Sequence, residues 1–375
     1  MFTKKLGFGL MRLPLTVPDD LYSVDMKTFK RMVDTFLEKG FNYFDTAYVY
    51  ANYEECTKEA LVKRHPRERY KLATKMPLSR LKTAEDQEKI FAEQLERTGV
   101  DYFDAYLLHN IGTESYKTAQ QLGSFDFIQQ KKKEGRIKRI GFSFHDNAEL
   151  LDEVLAAHPE VEFVQLQINY MDWDNTGIQS GKCYETARKH QKPVIVMEPV
   201  KGGALANVPE KAARLFKSFN PESSAASWAI RYAASLDGVI GVLSGMSSME
   251  QMLDNSGYMR DFKPFSEDER AVIADALAVI KESIAIPCTG CNYCVKDCPK
   301  NIAIPGYFAL YNSIKTAAPA LFYTESVYYN RFLEKHGKAS DCIGCKQCEK
   351  LCPQHLGIAD YLKDVAGVFD KKQVA

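Results

Sequence analysis

The sequence predicts an α/β chain: a closed (β/α)8 barrel of eight parallel strands ringed by helices, then a small cysteine-rich unit. Three observations carry this. Short β-rich runs alternate with amphipathic stretches along the first 265 residues, and no strand is followed by the GxGxxG turn of a doubly wound sheet. Eight of the ten cysteines crowd into residues 288–352. Strands separated by helices pair in parallel, because a parallel connection needs a crossover, and eight such units close a barrel.

The candidate strands, in order, are KLGFGL near residue 7, FNYFDT at 41, YKLATK at 70 and FDAYLLH at 103. They continue with RIKRIGFSF at 136, EFVQLQIN at 162, KPVIVME at 192 and GVIGVL at 238. Between the first two, DMKTFKRMVDTFLEKG places Met26, Phe29, Met32, Val33 and Phe36 on one helical face, and Gly40 follows where a helix ends. After the barrel, EDERAVIADALAVIKESIAIP reads as one helix, with Ser266 as N-cap and Glu269 completing a capping box. The expected division is residues 1–265 for the barrel, 266–283 for the connecting helix and 284–375 for the cysteine-rich unit.

Charge and composition exclude several classes. The 49 basic residues balance the 49 acidic ones, so nothing favours nucleic acid or anionic lipid as a partner. The start, MFTKKLGFGLMRLP, lacks the apolar core of a secretory signal. No run approaches the roughly 18 apolar residues that span a bilayer. A soluble, cytoplasmic protein is expected, in which clustered cysteines are metal ligands rather than disulfides.

In such a barrel, chemistry sits at the C-terminal ends of the strands. The second strand ends in Asp45, with Tyr50 five residues on; the third ends in Lys75, the fourth in His109, the fifth in Ser143 and the sixth in Gln167. Each alone reads as a solvated strand edge or a satisfied core residue. Four ionisable groups at one mouth make a proton-transfer station. A free tyrosine has a pKa of about 10, and a neighbouring ammonium lowers it. A carboxylate keeps that ammonium charged, and a histidine can hydrogen-bond a carbonyl oxygen. Asp45, Tyr50, Lys75 and His109 therefore suit a general acid for reducing C=O, or a base for oxidising an alcohol.

Residues 5–262 resemble an aldo-keto reductase, through LGFGLMRLP, FDTAYVY, LATKMP, YLLHN, KKEGRIKRIGFSFH, LQINY and VLSGMSSMEQMLDN. The resemblance implies Tyr50 as acid/base, tuned by Lys75 and Asp45, with His109 orienting the carbonyl. It implies NADP(H), with NAD as the alternative, bound without a Rossmann fold. Ser143 and Gln167 would hold the nicotinamide carboxamide, and Gly245, Ser247, Gln251 and Asn255 the adenosine end. Three departures stand out. Met197 replaces the aromatic residue common after the seventh strand. Glu198 replaces a serine, and its charge repels a phosphate unless it is protonated or turned away. The final loop lacks the usual Lys and Arg for a 2′-phosphate.

The cysteines carry a second pattern. Cys288, Cys291, Cys294 and Cys298 form C-x2-C-x2-C-x3-C-P, and Cys342, Cys345, Cys348 and Cys352 repeat it 54 residues later. Pro299 and Pro353 repeat too, as do KNIAIPGY and QHLGIADY more loosely. Zinc sites use two ligand pairs separated by a longer loop. The repeat is instead the signature of a bacterial two-cluster ferredoxin, in which the fourth cysteine of each run serves the other cluster. One 4Fe–4S cluster is expected on Cys288, Cys291, Cys294 and Cys352, the other on Cys342, Cys345, Cys348 and Cys298. The 43 residues between the runs include SVYYNRFLEKHG, which points to a small, α-helical 2[4Fe–4S] ferredoxin-like domain. Cys56 and Cys183 match no ligand spacing and read as buried thiols.

The expected function is an oxidoreductase acting on a small carbonyl or alcohol with a nicotinamide cofactor, accompanied by two clusters. The alternative is an iron–sulfur electron-transfer protein whose barrel docks a redox partner or senses nicotinamide without turning over a carbonyl. Nicotinamide is a poor one-electron donor, so wiring it to clusters needs a flavin, which a flavoprotein or ferredoxin partner would bring. Nothing in the sequence marks a flavin site.

Overall fold

The structure, a computed structural model, describes residues 1–375 apart from 19, 283–284, 289, 291, 293, 296, 316–321, 353 and 371–375, and apart from the side chains of 322 and 323. Cys291 and Pro353 of the cysteine repeat thus lie outside the described residues.

Eight strands close into an all-parallel barrel in sequence order, β1 pairing with β8. They are β1 (Leu6–Gly9), β2 (Tyr43–Asp45), β3 (Lys71–Pro77), β4 (Ala105–Ile111), β5 (Ile140–Phe144), β6 (Phe163–Gln167), β7 (Val194–Met197) and β8 (Val239–Ser244). Each overlaps one of the runs read from the sequence; β3, β4 and β8 end one or two residues beyond theirs. The helices of this part are α1 (Met26–Glu38), α2 (Tyr53–Thr57), α3 (Glu85–Thr98), α4 (Thr113–Gln121), α5 (Ser124–Lys133), α6 (Ala148–Ala157), α7 (Ser180–Lys189), α8 (Glu210–Phe219), α9 (Ala225–Ala234) and α10 (Met249–Arg260). Helix α1 buries Phe29, Met32, Val33 and Phe36, and Gly40 follows at φ +85°.

Two apolar layers hold the barrel. Strand residues facing outward pack with the helices, as Phe8, Phe44 and Leu72 do. Inside, Tyr43, Ala73, Leu107, Phe163, Ile195 and Leu243 fill the lumen, and Phe2 stacks on Tyr43 to plug its lower end. A Cβ at Gly241 would lie 2.1 Å from the Phe2 ring, so the bare backbone there makes room for the plug.

Helix α11 (Glu267–Lys281) carries the expected Ser266–Glu269 capping box and packs on α8 through Ile273, Ala276 and Ile280. It is shorter than the sequence suggested. Asn312 takes both the backbone N–H and C=O of Ile286, at 2.8 and 2.7 Å, and so replaces helical bonding just before Pro287. Beyond lie α12 (Ile304–Lys315), α13 (Phe322–Leu333), α14 (Gln347–Lys350) and α15 (Ile358–Phe369), with a core of its own around Tyr307, Phe308, Tyr329 and Leu362. This unit is helical as expected; among its described residues the β-structure is a single bridge, Ile302 to Gly337.

Candidate active site

Helix α13 docks one face on the mouth of the barrel. Glu325 reaches Lys201, which also binds Asp172 at 2.5 Å, and all three side chains are fully buried. The Tyr328 ring meets the His145 ring at 5.6 Å, and Arg331 donates to both oxygens of Asn110 at 3.0 and 3.1 Å. A Cβ at Gly112 would lie 2.5 Å from Arg331 Nε, so glycine there leaves room for the guanidinium.

Beneath α13, at the C-terminal ends of the strands, opens a cavity of about 330 Å³. Tyr50, His109 and Asp45 line it, and Lys75 lies just behind. Lys75 Nζ donates to Asp45 Oδ1 at 2.5 Å and to the Thr46 carbonyl at 2.7 Å, and it hydrogen-bonds Tyr50. Its ammonium lies 5.2 Å from the centroid of the Tyr50 ring, and the His109 ring stands edge-on to that ring at 5.9 Å. Gln165 Nε2 closes the set by donating to Asp45 Oδ2 at 3.2 Å.

Electrostatics assign the protonation states. Burial opposes the Lys75 charge, but Asp45 and Tyr50 outweigh it and raise its pKa, so Lys75 stays an ammonium. Burial, then Lys75, then His145 push the His109 pKa well below the usual range, which leaves a neutral imidazole. His145 is likewise pushed down to about 3, by burial, Arg331 and Lys75. Backbone strain gathers here too. Ala51, Asn110, Glu198 and Lys201 all hold positive φ without being glycine, a costly state that the surrounding contacts enforce.

Of the residues expected at the cofactor, Ser143, Gly245, Ser247, Gln251 and Asn255 line the cavity. Ser143 Oγ accepts from the Asn110 N–H at 2.8 Å, Gln251 Oε1 from the Ser247 N–H, and Asn255 Nδ2 donates to Ser244 Oγ. Gln167 is absent from the lining. Its amide donates to Asp172 at 3.1 Å, within the anchor of α13, while Gln165, one strand repeat lower, faces the cavity. Glu198 lines the groove, but its charge is engaged: it accepts from the Gly202 N–H at 2.7 Å and pairs with Arg12 at 3.3 Å. That pairing offsets the charge that the sequence position of Glu198 set against a phosphate.

The sequence reading missed Arg12, Asn110, His145 and Gln165, all of which line the cavity, and Thr324 and Val327, which reach it from α13. His145 was within sight, closing the strand-end run GFSFH. Thr324 and Val327 carry no local signal, because only the docking of α13 brings them there.

In the second unit, Cys288, Cys294 and Cys352 line one small cavity, and Cys298, Cys342, Cys345 and Cys348 line another. Cys298 and Cys342 both raise the pKa of Cys348, after burial and Glu349, which takes it to about 11. The Ile302 N–H points at Cys298 Sγ, 3.5 Å away. Among the described residues no three such side chains converge on a single-ion site.

Residues 5–278 match the model of the aldo/keto reductase family, and residues 287–356 that of a 4Fe-4S dicluster domain. The chain therefore belongs to the aldo/keto reductase family and carries a 4Fe–4S domain C-terminal to the barrel. Aldo-keto reductase str7 of Strobilurus tenacellus is 28% identical over 211 residues, 54% of this chain and 59% of that protein. An aldo-keto reductase of Mycobacterium avium is 31% identical over 128 residues, 34% of this chain and 43% of that one. The chain thus spans about half the length of these curated relatives. Among solved structures, the holo form of aldo-keto reductase AKR11C1 from Bacillus halodurans superposes with a TM-score of 0.57 at 24% identity, covering 72% of this chain and 91% of that one. A Klebsiella pneumoniae aldo-keto reductase in complex with NADPH gives 0.54 at 19%, covering 72% and 90%. At these identities the likeness is one of fold. No helix among the described residues is long and apolar enough to cross a membrane.

Proposed function

We propose that this chain reduces the carbonyl of a small organic substrate, or oxidises the matching alcohol, with Tyr50 as general acid/base. The observation that carries this reading is the buried Asp45–Lys75 pair held against Tyr50, with a neutral His109 beside it. A bound nicotinamide cofactor, NADP(H) before NAD, would supply the hydride. The Lys75 charge favours the Tyr50 phenolate and so eases release of its proton to the carbonyl oxygen. Asp45 keeps that charge in place, and Gln165 fixes Asp45. Being neutral, His109 can donate one ring N–H to the substrate oxygen without competing for the proton. Ser143, Gly245, Ser247, Gln251 and Asn255 would hold the cofactor, as the cavity they line is long enough to run from Tyr50 to α10.

The same reading places two 4Fe–4S clusters in the second unit, one on Cys288, Cys291, Cys294 and Cys352 and one on Cys342, Cys345, Cys348 and Cys298. The two cysteine-lined cavities support this sorting, with Cys291 outside the described residues. Bound clusters would supply one-electron chemistry, with a flavoprotein or ferredoxin as partner. In either case the crossed ligands tie the ends of the unit together.

Purified, cluster-loaded protein should consume NADPH with a panel of aldehydes, and Tyr50→Phe should abolish this while leaving the visible cluster absorbance intact. Substantial turnover by that variant sinks the role of Tyr50. A full cluster spectrum with no turnover of any carbonyl favours the electron-transfer alternative.

A further inference from the structure

The wall of the cavity that faces Tyr50 is not supplied by the barrel alone. Thr324 and Val327, one helical turn apart on α13, line it together with Tyr50, His109, Asn110 and His145. Helix α13 is fixed there at three levels: Glu325 on Lys201, Tyr328 on His145 and Arg331 on Asn110. These contacts recur at helical spacing, so the helix presents a defined surface to whatever occupies the cavity.

Among the described residues that surface carries no charge into the cavity. Of the charged side chains lining the cavity, Arg12 and Glu198 pair with each other and Asp45 is held by Lys75. Asp254 accepts from Ser224 Oγ at 2.6 Å, near Asn255 and away from Tyr50. Arg331 is not part of the lining: it lies behind Asn110, with Nη2 on Asn110, Nη1 on Glu334 and Nε buried against Gly112 without a hydrogen-bond partner. His109 and His145 are both kept neutral by burial and by neighbouring cations. What remains near the acid is polar but neutral: an amide, two imidazoles and the threonine at position 324. His145 Nδ1 is buried without a hydrogen-bond partner. A carboxylate brought here would lose its hydration and meet, among the described lining residues, no cation other than the paired Arg12, whereas a hydroxyl would find donors and acceptors.

We infer that Thr324 and Val327 of the cysteine-bearing unit are specificity-determining residues of the barrel's active site, selecting an uncharged carbonyl compound with a polar neutral substituent over a keto acid. This rests on the carbonyl-reductase reading above. It gives the second unit a role at the site that is separate from electron transfer, since its helix shapes the substrate end of the cavity.

The test is a matched pair of ketones, hydroxyacetone and pyruvate, which differ chiefly in carrying an alcohol or a carboxylate beside the carbonyl. Wild type should favour hydroxyacetone in kcat/KM by at least about tenfold, the worth of roughly one well-placed interaction. Thr324→Lys should reverse the ratio towards pyruvate, and Thr324→Ser should keep the wild-type ratio. NADPH affinity by fluorescence and cluster absorbance per chain report whether each variant stays folded; if Thr324→Lys does not, Val327→Lys carries the same prediction. A wild-type preference for pyruvate overturns the inference and leaves the reductase reading standing. So does a folded lysine variant with an unchanged ratio. Wild type that consumes NADPH with neither ketone nor any aldehyde overturns both.

Discussion

Glu325, in the cysteine-bearing unit, meets Lys201 of the barrel at 3.1 Å, and neither side chain has any exposed surface. Asp172 holds the same ammonium at 2.5 Å, so a single buried cation joins two carboxylates from different parts of the chain. Burial and Asp172 favour the protonated acid at Glu325 and Lys201 opposes them; burial dominates, and the pKa rises to about 7. Removing one partner of such a cluster exposes the imbalance it contained. Glu325→Ala should cost about 3 kcal/mol of stability, the lower end of the range for breaking a buried pair, because Asp172 still partners Lys201. Glu325→Gln, which keeps an acceptor, should cost less. Denaturant titration followed by far-ultraviolet dichroism measures both, and equal stability for all three proteins would argue against a load on this contact.

Lys75→Met should move the pH optimum of carbonyl reduction upward. With the ammonium gone, the Tyr50 phenol returns towards its ordinary pKa or above. Asp45, whose pKa burial already raises against the pull of Lys75, should then take up a proton rather than remain a lone buried anion. A pH–rate profile that does not move would count against the pairing.

NADPH should be preferred over NADH, but by only about tenfold, a single well-placed interaction. The cation nearest the groove, Arg12, is occupied: its guanidinium donates to the Gly202 carbonyl at 3.0 Å and pairs with Glu198. By the family resemblance, Gly245 and Gln251 would stand where a basic residue faces a 2′-phosphate. Fluorescence titration with both cofactors decides it. More than about a thousandfold preference, some 4 kcal/mol, would demand a cation that the groove does not show.

Much of this was legible in the sequence because periodicity and spacing are local. Strand and helix periods marked all eight barrel strands, and two identical cysteine spacings marked the second unit. Strand ends also predicted which side chains would meet, since a barrel gathers them whatever the loops do. What the sequence could not show was long-range. The anchor of Lys201, Asp172 and Glu325 joins three segments far apart in the chain, and none of them has a motif. The resemblance expects Gln167 at the nicotinamide carboxamide, yet its amide donates to Asp172, five residues on. Glu198 read as a repulsive charge because Arg12, which neutralises it, comes 186 residues earlier.

Glu54 should make the barrel less stable at neutral pH than at mildly acidic pH. It is buried beneath β3, accepting from Thr74 Oγ1 at 2.7 Å and Gln94 Nε2 at 3.1 Å, and its second oxygen makes no hydrogen bond, with Arg97 Nη1 3.8 Å away. Burial outweighs these bonds and the pull of Arg97, and raises its pKa to about 7. The folded chain then holds a proton that the unfolded chain releases near pH 4.5. Stability from this group is therefore greatest below that pH, falls as pH rises and levels off above about 7. The total change is at most roughly 3 kcal/mol. Glu325 acts with the same sign, so the difference between wild type and Glu54→Gln isolates Glu54. That difference should grow from pH 5 to pH 8 in favour of the glutamine variant, as read by thermal unfolding, and a constant difference would refute the assignment.

Cys298 tests the sorting of the cysteines. It lies in the first run, yet the cavity it lines is otherwise lined by the second-run cysteines 342, 345 and 348, and it acts electrostatically on Cys348. Cys352 is the mirror case, lining the cavity of Cys288 and Cys294. Cys298→Ala should therefore damage the cluster of the second run and spare that of the first, and Cys352→Ala should do the reverse. A cubane that loses one ligand converts to a three-iron cluster or is lost, and electron paramagnetic resonance with iron counting sees either outcome. If each run ligates both clusters, each change should also loosen the whole unit. The barrel has its own core, so far-ultraviolet dichroism should remain largely intact. Damage confined in each variant to the cluster of its own run would overturn the crossed arrangement. So would anaerobically reconstituted wild type that binds zinc tightly but holds too little iron for even one cluster.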